Sequence, residues 1–97
     1  MSAVSTSLQK EAESIFTDLG YDVTPEGREI QAQRKWRVVT VTPMAEPRDP
    51  PQSGELRCFV THAEMVARVE RRLERADPCY EWAIIGVEED GYVVSRS

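Results

Sequence analysis

Apolar positions along the chain follow two different periods, and the change from one to the other marks the elements. Leu8, Ala12, Ile15, Phe16 and Leu19 recur at helical spacing and predict an amphipathic helix over about residues 7–19. Thr6-Ser7-Leu8-Gln9 fits a capping box at its start, and Gly20 supplies the left-handed residue that ends it. A short extended piece, Tyr21-Asp22-Val23, precedes Thr24-Pro25-Glu26-Gly27, whose proline and glycine mark a turn. From residue 28 the period falls to two. Ile30 and Ala32 alternate with Glu29, Gln31 and Gln33, and Trp36 to Thr42 is rich in β-branched side chains. These read as a hairpin turning near Arg34-Lys35, with one long bent strand as the alternative.

Four of the six prolines crowd into residues 43–54, which predicts a stiff, exposed loop, because proline removes backbone donors and fixes φ. Leu56, Cys58 and Val60 then alternate with Arg57, Phe59 and Thr61 as a strand. Thr61-His62-Ala63-Glu64 reads as a second capping box opening a helix to about residue 76, with Met65, Val66, Val69, Leu73 and Ala76 as its apolar stripe. Asp77-Pro78 stops that helix. Trp82-Ala83-Ile84-Ile85 is apolar on both faces and predicts a central strand. Glu88-Glu89-Asp90-Gly91 turns the chain into a last strand, Tyr92-Val93-Val94-Ser95. The expected fold is α+β in one domain over residues 1–97. Its order is α-β-β-β-α-β-β, discounting the short first extended piece, with two helices packed on one face of a mostly antiparallel sheet.

Composition narrows the partners. Twelve basic against seventeen acidic residues leave a net charge of −5 over 97 residues, which argues against a globally basic nucleic-acid binder. No apolar run approaches the roughly 18 residues needed to span a bilayer. The first residues carry neither a basic nor an apolar leader segment, so a cytoplasmic location is expected. Two cysteines in a reducing compartment, Cys58 and Cys79, read as buried small hydrophobes rather than a disulfide. Lysine occurs only at Lys10 and Lys35, the other ten basic residues being arginine. Lysine poverty beside an acidic surplus fits the cytosol of a salt-accumulating archaeon, and a GC-rich bacterium would show the same preference for arginine.

Candidate chemistry is sparse. Cys58, His62 and Cys79 are zinc-ligand types, but three residues at those spacings form no CxxC pair and lack a fourth ligand, so no metal is expected. The acidic run Glu88-Glu89-Asp90 carries no calcium-loop spacing. None of the common nucleotide, zinc-protease or serine-hydrolase motifs occurs, and no cofactor is expected. Two basic groups stand out. Arg68, Arg71, Arg72 and Arg75 lie along one flank of the second helix, as a solvated face or as an anion site. Arg34-Lys35-Trp36-Arg37 places an indole among cations, the minimal ingredient of single-strand binding, unless Trp36 fills the core from a strand.

Gly20-Tyr21-Asp22-Val23 with Gln33-Arg34-Lys35 resembles the PD-(D/E)xK nucleases, among them archaeal Holliday-junction resolvases. That resemblance implies Mg²⁺-dependent phosphodiester cleavage with Asp22, Gln33 and Lys35 in the motif positions. Gln33 stands where that family carries an acid, which points to a degenerate relative. The helix-strands-helix order is similar to double-stranded RNA-binding domains, but Thr61-His62-Ala63-Glu64 replaces the basic cluster on which they hold phosphate. Taken whole, the low-lysine acidic chain, with Trp82-Ala83-Ile84-Ile85-Gly86-Val87 and Asp90-Gly91-Tyr92, is similar to small uncharacterised haloarchaeal proteins of unknown function. That likeness implies no activity. The leading expectation is a non-enzymatic protein-interaction or regulatory module that self-associates as a twofold dimer through its terminal hairpin or an edge strand. The alternative is a nucleic-acid-binding or degenerate nuclease-like protein.

Overall fold

A computed structural model describes residues 2–96, with side chains from Leu8 to Arg96. Helix α1 (Ser2–Asp18) leads into strands β1 (Asp22–Glu26), β2 (Glu29–Arg34), β3 (Arg37–Pro43) and β4 (Leu56–His62). A 3-10 turn over Ala63–Met65 opens helix α2 (Val66–Ala76), which is followed by β5 (Glu81–Glu88) and β6 (Gly91–Arg96). The strands form one sheet in the order β1-β2-β3-β4-β5-β6. Three of its five pairings are antiparallel, while β3-β4 and β4-β5 are parallel. The fold is therefore α+β as expected, with one strand more: the short piece after Gly20 pairs with β2 as β1.

α1 begins before the expected residue 7, and the Thr6 and Ser7 side chains of the expected capping box lie outside the described residues. Its C-terminus follows the sequence. Gly20, at φ 92°, donates to the Thr17 carbonyl at 3.0 Å and Tyr21 donates to that of Phe16 at 3.0 Å, a Schellman closure. The Tyr21 ring meets the Phe16 ring edge to face at 5.3 Å, the hydrophobic contact that accompanies this motif.

The expected packing of both helices on one face is corrected. Leu8, Ala12, Ile15 and Phe16 of α1 pack with Ile30, Ala32, Val39, Val41, Cys58, Val60 and Ile85. Val69 and Leu73 of α2 pack with Phe59, Ile84, Tyr80 and Met44. Phe59 lies between Cys58 and Val60, and Ile84 beside Ile85, so strand alternation puts the two clusters on opposite faces. The cause is the parallel run β3-β4-β5. Both of its connections must cross over the sheet, and residues 44–55 and α2 do so on the same side.

Other expectations change in detail. Thr24 and Pro25 lie within β1, and the turn is Gly27-Arg28, with Gly27 at φ 62°. Thr61 remains in β4, buried, with no hydrogen-bond partner for Oγ1 among the described residues. No side-chain cap forms at His62, so the second capping box does not exist. Ala76 and Leu19 are exposed. Gly86 admits the start of α2 onto β5, since a Cβ there would stand 2.5 Å from a Val66 methyl and 3.0 Å from the Ala63 Cα.

The proline-rich segment is no free loop. Met44 is buried, its N–H donates to the Val60 carbonyl at 2.7 Å, and Tyr80 Oη donates to the Pro51 carbonyl at 2.6 Å. Arg57 donates to the Ser53 carbonyl at 2.8 Å and to Glu29 Oε2 at 3.1 Å, with its guanidinium over the Tyr80 ring. Arg72 pairs with Asp49 at 2.9 Å. The segment is a strap that closes the α2 face. Among the described residues, no helix is long and apolar enough to cross a membrane.

Candidate functional site

The β2-β3 hairpin is the first surface of interest. Arg34 pairs with Arg37, so Lys35-Trp36 is a two-residue turn, and the long-bent-strand alternative is excluded. Lys35 takes φ 57°, a left-handed conformation that costs a side chain roughly 1–2 kcal/mol. Trp36 is 91% exposed. It does not fill the core, because β3 buries its odd positions, Val39 and Val41, and leaves Val38 in solvent. Tyr21, Arg34, Lys35, Trp36 and Arg37 line one shallow cavity of about 320 Å³, with three cations and no carboxylate in its lining. Tyr21 and Arg37 also line a larger groove of about 560 Å³, where the α1 face of the sheet runs on to Ile85, Tyr92 and Val94.

The second surface is α2. Arg68, Arg71, Arg72 and Arg75, all exposed, line a cavity of about 410 Å³ with Glu46 and Pro47 of the strap. The sequence brings these arginines together by helical spacing, and the strap supplies carboxylates opposite them. Asp49 already takes Arg72, which gives the cluster a structural task in holding the strap.

The motif positions Asp22, Gln33 and Lys35 lie close in the chain's folded path. Asp22 is the register partner of Gln33 across β1-β2, and Lys35 follows in the turn; all three are exposed. One carboxylate stands among them. Cys58, His62 and Cys79 do not converge, and among the described residues no group of three or more His, Cys, Asp or Glu lies together. Both cysteines are free. Burial pushes the Cys58 thiol up to about 12, which keeps it protonated and unreactive at neutral pH. Cys79 is exposed, contrary to the expected burial, because it falls in the turn after Pro78 rather than in a strand. Burial also raises the Tyr80 hydroxyl, with the Arg57 charge opposing it.

The third surface is the terminal hairpin expected to self-associate. Tyr92, Val93 and Val94 of β6 are 40–52% exposed, three large apolar side chains in a row on the last strand of the sheet. The register places Val94 opposite Ile85 and Val93 opposite Gly86, so both faces of this edge are apolar. Acidic residues (Glu88, Glu89 and Asp90) precede the strand and Arg96 ends it. The available sequence signal was this apolar run between charges of opposite sign.

No curated protein and no solved structure shows significant similarity to the chain. Residues 9–95, from within α1 to the penultimate residue of β6, match DUF7116, a family of unknown function, and the chain belongs to that family.

Proposed function

We propose that this protein is a non-enzymatic interaction module that pairs with a second copy of itself along β6. The observation that carries the reading is an unguarded sheet edge. A terminal strand offers a row of free backbone donors and acceptors, and proteins ordinarily blunt it with proline, internal charge or a bulge. β6 has none of these between Gly91 and Ser95, and its side chains there include the exposed Tyr92, Val93 and Val94. A twofold antiparallel pairing supports charge complementarity as well. Glu88-Glu89-Asp90 of each copy then meets Arg96 of the other, at both ends of the joint.

Sedimentation velocity at high micromolar concentration tests this directly. The wild-type protein is expected to sediment as a dimer. Val93→Lys weakens association at least about tenfold, or ~1.4 kcal/mol, because a lysine is carried into a dry strand pair. Arg96→Glu also weakens it, and mixing that variant with Glu88→Arg/Asp90→Arg restores a mixed dimer. A wild-type monomer at that concentration, with the far-UV CD of a folded chain, overturns the proposal.

A further inference from the structure

We infer that the β2-β3 hairpin and the groove beside it bind single-stranded nucleic acid, with Trp36 stacking a base and Arg34, Lys35 and Arg37 holding phosphates. The inference stands apart from self-association. Its anchoring groups, Arg34 to Arg37, lie at the tip of the β2-β3 hairpin, and only the far end of the groove, at Tyr92 and Arg96, reaches β6.

Three observations lead to it. The first is the placement of Trp36. An indole 91% exposed at the tip of a two-residue turn contributes nothing to the core, although burying a large aromatic would stabilise a small protein substantially. A flat, rigid, exposed ring is what sequence-tolerant stacking requires. The second is local charge. The molecule carries −5 overall, yet the cavity around Trp36 is lined by three cations and two aromatics with no carboxylate. A strongly anionic ligand is therefore drawn to this point and repelled from most of the rest of the surface. The third is rigidity. Lys35 is held at φ 57° by a ladder that continues on both sides of the turn, and Tyr21 is fixed by the Schellman closure and its contact with Phe16. Strain retained at an exposed tip points to use of that tip.

The shape suits a single strand rather than a duplex. From Tyr21 and Arg37 the groove continues over the part of the sheet that α1 leaves uncovered, to Ile85 and Tyr92. It crosses from β3 to β6, about 14 Å at ordinary strand spacing. That is the length of about four stacked bases, over a lining that mixes apolar side chains such as Val39 and Ile85 with Arg57, Arg96 and one carboxylate, Glu81, and with Tyr92 as a second ring. Splayed bases laid on an aromatic sheet face are a recurrent mode of single-strand recognition. The arginines of α2 lie on the other face of the sheet, with Glu46 in their cavity and Asp49 on Arg72, and they take no part.

Fluorescence anisotropy of labelled oligothymidylate and oligouridylate, titrated with the folded protein at low and at molar KCl, tests the inference. Binding in the micromolar range is expected at low salt. Its log–log salt slope is expected near −2, about 0.7 for each of three phosphate contacts. Trp36→Ala weakens it about tenfold and Trp36→Phe recovers most of the loss. Arg34→Ala/Lys35→Ala flattens the salt slope, whereas Arg68→Ala/Arg75→Ala leaves binding unchanged. Flat titrations at low salt overturn the inference. So does equal affinity for a duplex of the same length, or binding that survives Trp36→Ala and Arg34→Ala/Lys35→Ala. Val93→Lys should bind as the wild type does, which separates this result from the fate of the dimer.

Discussion

The two faces of the sheet are finished differently. On one, α2 and the strap of residues 44–55 together seal Phe59, Ile84, Leu73 and Met44 from water. On the other, α1 covers the β1–β4 side alone and leaves a groove reaching β6. The edges differ in the same sense. β1 carries Asp22, Pro25 and Glu26, which discourage a further strand, while β6 presents Tyr92, Val93 and Val94. The closed face and guarded edge account for stability. The open face and bare edge are the surfaces on which the proposed pairing and strand binding rest. A chain of 97 residues has little apolar surface to spare, so exposed apolar and aromatic groups concentrated on one side are informative.

Substitutions can break this division, and the largest effect is expected on the closed face. Phe59→Ala should cost about 3–5 kcal/mol in urea denaturation, whereas Val94→Ala, on the open side, should stay within about 0.5 kcal/mol. Comparable losses at the two sites would abolish the distinction. The next effect sharpens it by showing that α1 closes its own half fully. The folded thiol of Cys58 titrates at about 12 against an ordinary 9.0, so the unfolded chain loses that proton first as pH rises. Stability is full below about pH 9 and declines by roughly 1.4 kcal/mol per pH unit from there toward 12. Cys58→Ala should remove that share of the alkaline slope, and in the native protein only Cys79 should react with a thiol reagent. The smallest effect concerns the strap. Tyr80→Phe removes the bond to the Pro51 carbonyl, with an expected loss of about 0.5–1.5 kcal/mol. Limited proteolysis should then cut first within residues 44–55. Unchanged cleavage would mean that Arg57, Arg72 and Met44 hold the strap unaided.

Much of this was legible in the chain and some of it was not, for identifiable reasons. Helical spacing shows both helices, alternation shows β2 and β4, and an unbroken apolar run shows β5; alternation does not show that Phe59 and Thr61 are buried too, because β4 packs against a core on both faces. The β2-β3 turn was harder, since Lys35 adopts a conformation for which Gly or Asn is the usual signal. Its placement decides whether Trp36 counts as a strand residue or as a tip. The strap is not legible as such, because proline marks an irregular backbone without saying whether it docks. Met44 alone, among four prolines, announces the burial. The opposite placement of the two helices follows from parallel pairing across β3, β4 and β5, a long-range property that no local pattern encodes. The basic residues around Trp36 were found by type. Tyr21 and Tyr92 join them only through the fold, whereas the edge at β6 is already expected from the terminal hairpin.

The strand order carries a kinetic consequence. Each strand lies beside the one that precedes it in the chain, so the sheet grows by addition at its edge, and no strand has to be threaded between two already paired. β1, β2 and β3 close through two-residue turns, and so do β5 and β6; hairpins of this kind form in about 1–10 μs. The entropy of chain closure is concentrated in the two crossovers that flank β4. Addition of β4 to the edge of β3, followed by the β5-β6 hairpin on β4, is therefore the step expected to set the folding rate, and Phe59 and Val60 at the centre of β4 are the positions where a substitution would slow it.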